Sequence, residues 1–223
     1  MNIESVSPDV LVAIADQVMT ITMNRPHVRN AMTPSMATAI GEALDRADGD
    51  ETVRAVVVTG AGTAFCSGGD LRLVEQGSSI HSATHPEWGF GGMRHHFVAT
   101  PIVAAVNGAA IGGGFEMCLA SDLVVASERA FFRLPEVISG VGSNAGGAAR
   151  LGRQLPLKIA LEMVLTGRSV DAMTAQRLGL VNRVVEHHDV LDAAVSLALE
   201  IAGLPPDAVR SAKRTAYGAA WDA

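Results

Sequence analysis

Apolar residues recur in two different rhythms near the start of the chain. "VLVAIA" and "VMTITMN" alternate apolar and polar positions on either side of Asp16 and Gln17, which predicts an opening β-hairpin, although Asp-Gln is not a favoured turn pair. The period then lengthens. Thr33 can cap a helix, Pro34 suits its first position, and Met36, Ile40, Ala43, Leu44 and Ala47 follow at helical spacing. Three short and nearly unbroken apolar runs come next, "RAVVVTG" at 54–60, "PIVAAVNG" at 101–108 and "DLVVAS" at 122–127. Runs of that kind suit strands covered on both faces. Helical patterns between several of them make an α/β fold with a largely parallel sheet the economical expectation. "FFRLPE" predicts one more strand, ended by Pro135. Beyond it helical patterns dominate, near "LPLKIALEMVL", "DAMTAQRLG" and "VLDAAVSLALEIAG", with a short strand "LVNRVV" between the last two. The apolar face of "LDAAVSLALEIAG" needs a cover. Only 72–93 is long and without clear period, and a loop of that length is usually functional or mobile.

Composition narrows the classes. At 223 residues and 48% hydrophobic, the chain is long enough to bury one substantial core. A net charge of -6 without a Lys/Arg cluster argues against nucleic acid as a partner. No stretch approaches the length of a membrane helix and the N-terminus has no basic region ahead of an apolar run, so a cytoplasmic protein without membrane attachment is expected. Cys66 and Cys118 are too few for a disulfide framework and read as buried free thiols.

Candidate chemistry gathers where the strands end. The run at 54–60 leads into "GAGTAFCSGGD" and the run at 101–108 into "NGAAIGGGFE", so each glycine cluster follows the carboxyl end of a strand. If those strands are parallel, both clusters meet at one edge, where open α/β sheets place ligands. Glycine at a helix start offers unpaired N–H groups and the positive end of the helix dipole to a negative oxygen. The standard glycine motifs fit poorly. "GAGTAF" lacks the third small residue of a dinucleotide fingerprint, and neither a P-loop nor a GxSxG elbow is present. "SAT" between His81 and His85, with Pro86 following, argues against a zinc helix, and His95, His96, His187 and His188 have no partner at a specific spacing. No metal site is expected. Glu116 falls in the first turn after the glycine triplet and Glu136 follows Pro135. Each is also ordinary on its own, as a dipole partner or a loop residue, and spacing alone does not show that they converge.

"NRPHVRNAM", "GTAFCSGGDL", "PIVAAVNGAAIGGGFEMCLASDLVVAS", "FFRLPEV" and "AQRLGLVNRVV" together resemble the crotonase superfamily, specifically its enoyl-CoA hydratase branch, over roughly residues 10–186. The resemblance implies a spiral of ββα turns over 1–186. A helical trimerisation region would follow over 187–223, shorter than in relatives and so incomplete, in a homotrimer or dimer of trimers. It implies an acyl-CoA substrate, with no prosthetic group. The two N–H donors for the thioester oxygen would be those of Gly69 and Gly113. Ala64, Ser67, Gly68, Asp70 and Leu71 would meet the CoA, with Val28 and Ala31 on a second CoA-facing stretch. Glu116 and Glu136 would hold one water over the double bond of a trans-2-enoyl-CoA, Glu116 deprotonating it and Glu136 supplying a proton to C2. Isomerase relatives commonly lack the first glutamate, which favours a hydratase or the reverse dehydration. "HPEWGFGG" is similar to a carnitinyl-CoA dehydratase-like subgroup. Ser143 and Asn144 depart from the family's proline and glycine, which together with the short tail leaves a weakly active acyl-CoA-binding homologue as the alternative class. Trp88, Phe90 and Met93 are candidates either to line the acyl pocket or to pack.

Overall fold

A computed structural model describes residues 2–140 and 146–221; Ser143 and Asn144 lie outside the described residues. The chain opens with three antiparallel strands, β1 (Asn2–Ser7), β2 (Val10–Ala15) and β3 (Val18–Met23). Asp16 and Gln17, at φ 49° and 69°, both adopt left-handed backbone, so the β2–β3 hairpin closes through the primed type of turn despite its unusual residue pair. The sequence pattern did not signal β1.

Helix α1 (Pro34–Gly49) begins as expected, with the Thr33 hydroxyl accepting from the Met36 N–H at 3.3 Å. The chain then winds as a repeated unit. β4 (Ala55–Gly60), β5 (Ala64–Cys66) and α2 (Leu71–Glu75) form one turn, β6 (Ile102–Val106), β7 (Ala109–Ile111) and α3 (Gly113–Ala120) the next, and β8 (Leu123–Ser127), β9 (Phe131–Arg133) and α4 (Gly147–Gln154) a third. In each turn the first strand joins a seven-stranded sheet of order β1-β2-β3-β4-β6-β8-β11, and the second joins a four-stranded sheet of order β10-β9-β7-β5. α5 (Leu157–Thr166), β10 (Val170–Asp171), α6 (Ala172–Arg177), β11 (Arg183–Val185), α7 (Val190–Ala202) and α8 (Pro206–Trp221) complete the chain.

The three apolar runs are therefore adjacent parallel strands, with Val56 opposite Ile102 and Val103 opposite Leu123. Both faces are covered. Val56, Val58, Ala104 and Val106 join the main core with α1, while Val57, Val103, Ala105 and Val125 pack against Val190, Ala194, Leu197 and Ala198 of α7. Strand geometry sends alternate side chains to opposite faces, so an uninterrupted apolar run is what a strand between two helical layers requires. Among the described residues no helix is long and apolar enough to cross a membrane. Cys66 and Cys118 are buried free thiols; burial pushes the Cys66 thiol up to about 12 and that of Cys118 upward as well.

Candidate functional site

Because β4 and β6 are parallel neighbours, the loops after them leave the sheet at the same edge, and they touch. A Cβ on Gly68, whose φ is +100°, would lie 3.3 Å from the Ile111 carbonyl and 4.0 Å from the Gly113 nitrogen. Each glycine of the triplet has a different reason to be there. Gly112 turns the chain at φ 53°, ψ −121°, and a Cβ on it would meet Glu136 Oε1 at 3.3 Å. Gly113 lies under the ring of Phe90, and Gly114 lets α3 sit directly on the Cys66 carbonyl of β5.

The two expected donors, Gly69 and Gly113, lie in these two touching loops. Met32 pairs with the Gly69 loop by donating to the Gly68 carbonyl at 2.8 Å and accepting from the Asp70 N–H at 3.0 Å. That pattern uses the neighbours of Gly69 and turns its own N–H away from Met32. Gly113 is the first residue of α3, whose first intrahelical bond runs from the Glu116 N–H to the Gly112 carbonyl at 3.0 Å, so its N–H has no partner within the helix. Among the described residues neither N–H donates a hydrogen bond.

Glu116 is buried, 1% exposed, on the first turn of α3. Its Oε1 accepts from the Gly147 N–H at 2.8 Å. Its Oε2 lies 3.8 Å from Arg94 Nη1 and has no hydrogen-bond partner among the described residues. Burial is the main reason its pKa is pushed up to about 7; the Gly147 N–H, Arg94 and Arg150 pull it down, and the nearby Glu136 pushes it up. Glu136 is half-buried and its carboxyl is also raised, again chiefly by burial. The structure thus brings near each other two glutamates that the sequence only set twenty positions apart, Glu136 against Gly112 and Glu116 on the helix turn that follows.

The remaining expected residues are spread over β5, the loop after it and the stretch before α1. Ser67 donates to the Val28 carbonyl at 3.5 Å, joining the two stretches expected to face the CoA, and Val28, Ala31 and Ser67 are half-buried. Asp70 caps α2, accepting from the Arg72 N–H at 3.2 Å, and also takes Arg25 Nη1 at 3.0 Å. Leu71 is 72% exposed. Ala64 is buried in β5, its carbonyl held by Asn30 Nδ2 at 2.8 Å and Asn107 Nδ2 at 3.3 Å.

The aperiodic stretch divides into packing and site. Trp88 packs, stacked between the rings of His85 and His96 and seated on Gly41 of α1. Phe90 covers Gly113, and Met93 lines a cavity of about 440 Å³. Sequence reasoning missed Arg94, Arg150 and the Gly147 N–H, the groups that surround Glu116. Arginines with no periodic partner and a backbone amide leave no spacing signal.

A family model described as "Enoyl-CoA hydratase/isomerase" matches residues 13–220. Carnitinyl-CoA dehydratase of Proteus mirabilis (strain HI4320) is 39% identical over 198 residues, 88% of this chain and 75% of that protein. A crystal structure of carnitinyl-CoA hydratase from Mycobacterium avium superposes with a TM-score of 0.93 at 48% identity, covering 95% of this chain and 82% of the other. Enoyl-CoA hydratase from Mycobacterium tuberculosis H37Rv superposes with a TM-score of 0.87 at 38% identity, covering 93% and 81%. With its strand pairs wound into the crotonase fold and that match running through nearly its whole described length, the chain belongs to the enoyl-CoA hydratase/isomerase family.

Proposed function

We propose that this member of an acyl-CoA enzyme family catalyses the reversible addition of water to a 2-enoyl-CoA, forming a 3-hydroxyacyl-CoA. The observation that carries this reading is the pair of carboxyls at the head of α3. Glu116 is held at one oxygen by Gly147, its other oxygen has no hydrogen-bond partner among the described residues, and Glu136 stands across Gly112. In the hydration direction Glu116 takes a proton from water as the water oxygen bonds to C3. The C2–C3 π electrons move into the thioester, and the N–H groups of Gly69 and Gly113 stabilise the enolate oxygen. Glu136, acting from its protonated form, delivers that proton to C2. A proton passing from Glu116 to Glu136 restores both groups, and dehydration follows the same steps in reverse.

A second reading is dehydration of carnitinyl-CoA, which the names of the relatives from Proteus mirabilis and Mycobacterium avium support. One assay compares the two. Loss of the conjugated-thioester absorbance of crotonyl-CoA is expected, and Glu136→Gln should reduce kcat by roughly 10²–10⁴-fold while substrate still binds, because an amide keeps the shape and cannot give up the proton. Near-normal turnover by that variant overturns the role of Glu136. A higher kcat/KM for carnitinyl-CoA than for any uncharged 3-hydroxyacyl-CoA would install the second reading. Binding without turnover of either would make the chain a weakly active homologue.

A further inference from the structure

The loop that carries Gly69 gains little hold on the core from the helix that follows it. Leu71, Arg72, Val74 and Glu75 of α2 are exposed and Leu73 is half-buried. The loop is fastened instead by a bridge one residue wide. Met32 donates to the Gly68 carbonyl at 2.8 Å and accepts from the Asp70 N–H at 3.0 Å, one bond on each side of Gly69. Two bonds fix where Gly69 sits, but they leave it able to tip about the line that joins them. Tipping matters for a donor, because a hydrogen bond weakens steeply once it bends toward about 120°.

One side chain restrains that tipping. Arg25 Nη1 donates to the Ala31 carbonyl at 2.7 Å and to Asp70 Oδ2 at 3.0 Å. Ala31 precedes Met32 and Asp70 follows Gly69, so a single nitrogen clips together the two segments that the bridge joins. Both ends of the clip are themselves held. The Arg25 N–H donates to Asn30 Oδ1 at 2.9 Å and its carbonyl accepts from the Asn30 N–H at 2.9 Å, while Asp70 Oδ1 accepts from the Arg72 N–H at 3.2 Å. The side chains of Arg25 and Asp70 are 16% and 14% exposed, which sets the pair apart from surface ion pairs of little worth. Asp9, in the β1–β2 turn, lies 3.6 Å from Arg25 Nε and has no part in the clip.

We propose that Arg25 is a positioning residue for the Gly69 donor: through Asp70 and Ala31 it sets the angle at which that N–H meets the thioester oxygen. It thereby governs how well the enolate is stabilised without itself touching the substrate. This inference rests on the hydratase reading above.

The test joins the kinetics of crotonyl-CoA hydration to infrared difference spectra of bound butyryl-CoA, a saturated ester whose carbonyl stretch falls as donors polarise it. Arg25→Met should lower kcat by roughly tenfold or more, part of the 10²–10³-fold that loss of one oxyanion donor costs, with KM changed far less. The carbonyl stretch should move back toward that of the free ester. Arg25→Lys should recover most of both effects, since one ammonium can donate to the same two acceptors. Asp70→Asn should act in the same direction as Arg25→Met, and the double variant should cost no more than Arg25→Met alone. Asparagine caps a helix as well as aspartate does, so Asp70→Asn decides the matter if Arg25→Met does not fold. Asp9→Asn should leave kcat unchanged. A loss confined to KM, an equal loss from Asp9→Asn, or a fall in kcat with an unmoved carbonyl stretch overturns the proposal. A stretch not lowered in the unaltered protein would remove Gly69 and Gly113 as donors and this inference with them. A lowered stretch that returns in the variants, without hydration of crotonyl-CoA, would sink the hydratase reading and leave this one standing.

Discussion

In the proposed reaction Glu116 is the base, at a position where burial favours its neutral form. It acts when ionised, and its pKa stands at about 7, so kcat/KM should fall as pH drops through about 7. Arg94 is among the influences that hold the value down, and Arg94→Met should move the acid limb to higher pH. A pH profile of crotonyl-CoA hydration measures both, and an unshifted limb in the variant would show that Arg94 does not act on Glu116. Stability has the opposite sign. The folded-state pKa lies above the ordinary 4.5, so the folded state binds the proton more tightly, and the stability this contributes is lost as pH rises from about 4.5 through about 7. The two glycine donors differ at the same scale. A Cβ on Gly113 runs into the Phe90 ring, whereas one on Gly69 meets the Ile80 side chain, nearest at its Cδ1 end at 2.6 Å, which a rotamer change can move. Gly113→Val should therefore cost roughly 10²–10³-fold in kcat, the usual loss for one oxyanion donor, while Gly69→Ala keeps substantial activity. Steady-state kinetics on both variants, with circular dichroism to show that each is folded, reads the contrast, and the reverse order would remove these two amides from the assigned role.

At the scale of the element, one buried side chain does much to hold the β4–β5 stretch that leads to Gly69. Asn30 is fully buried in left-handed backbone at φ 56°, a conformation that asparagine tolerates better than most residues. Its Nδ2 donates to the carbonyls of Ala61, Ala64 and Phe65 at 2.9, 2.8 and 3.2 Å, and its Oδ1 accepts from the Arg25 N–H at 2.9 Å. One amide thereby fastens the chain before α1 to the β4–β5 turn and β5, the stretch that leads to Gly69. Asn30→Ala removes those bonds, leaves the Ala64 carbonyl to Asn107 Nδ2 alone and strains the backbone, so a loss of about 2–4 kcal/mol is expected, read as a lower midpoint in urea unfolding at pH 7. An unchanged midpoint would show that the loop is held by something else. This anchor was legible only as part of a motif, because a buried asparagine and an exposed one look alike in sequence. The hairpin, α1 and the parallel strands were legible, since their apolar periods extend over five or more residues. The four-stranded sheet was not: β5, β7 and β9 are three residues each and β10 two, too short for a period to repeat. The expected strand at Phe131–Arg133 exists, but it pairs with β7 and β10 rather than extending the main sheet.

At the scale of the whole molecule, the surface left apolar differs from the one the sequence pointed to. The apolar face of α7 does need a cover, and the large sheet of the same chain supplies it: Val190, Ala194, Leu197, Ala198 and Ala202 are buried against β4, β6 and β8. Self-association therefore cannot be argued from that face. It is argued from α5, where Leu157, Leu161 and Leu165, each one turn from the next, are 63%, 42% and 66% exposed. Val137 and Ile138, 48% and 60% exposed, extend the patch past the end of α5, where both approach Gly167. A contiguous apolar stripe on a folded chain marks an association surface more often than isolated exposed leucines do. The expected occupant is a second copy, since the crotonase resemblance implies a trimer or a dimer of trimers. Sedimentation velocity at micromolar protein should show a stable oligomer, and the double variant Leu161→Glu/Leu165→Glu should dissociate it by placing unpaired charges in the contact. Because both side chains already face solvent in the single chain, the dissociated variant should remain folded by circular dichroism. A monomeric unaltered protein, or an oligomer indifferent to the two glutamates, would show that copies of this chain do not meet through α5.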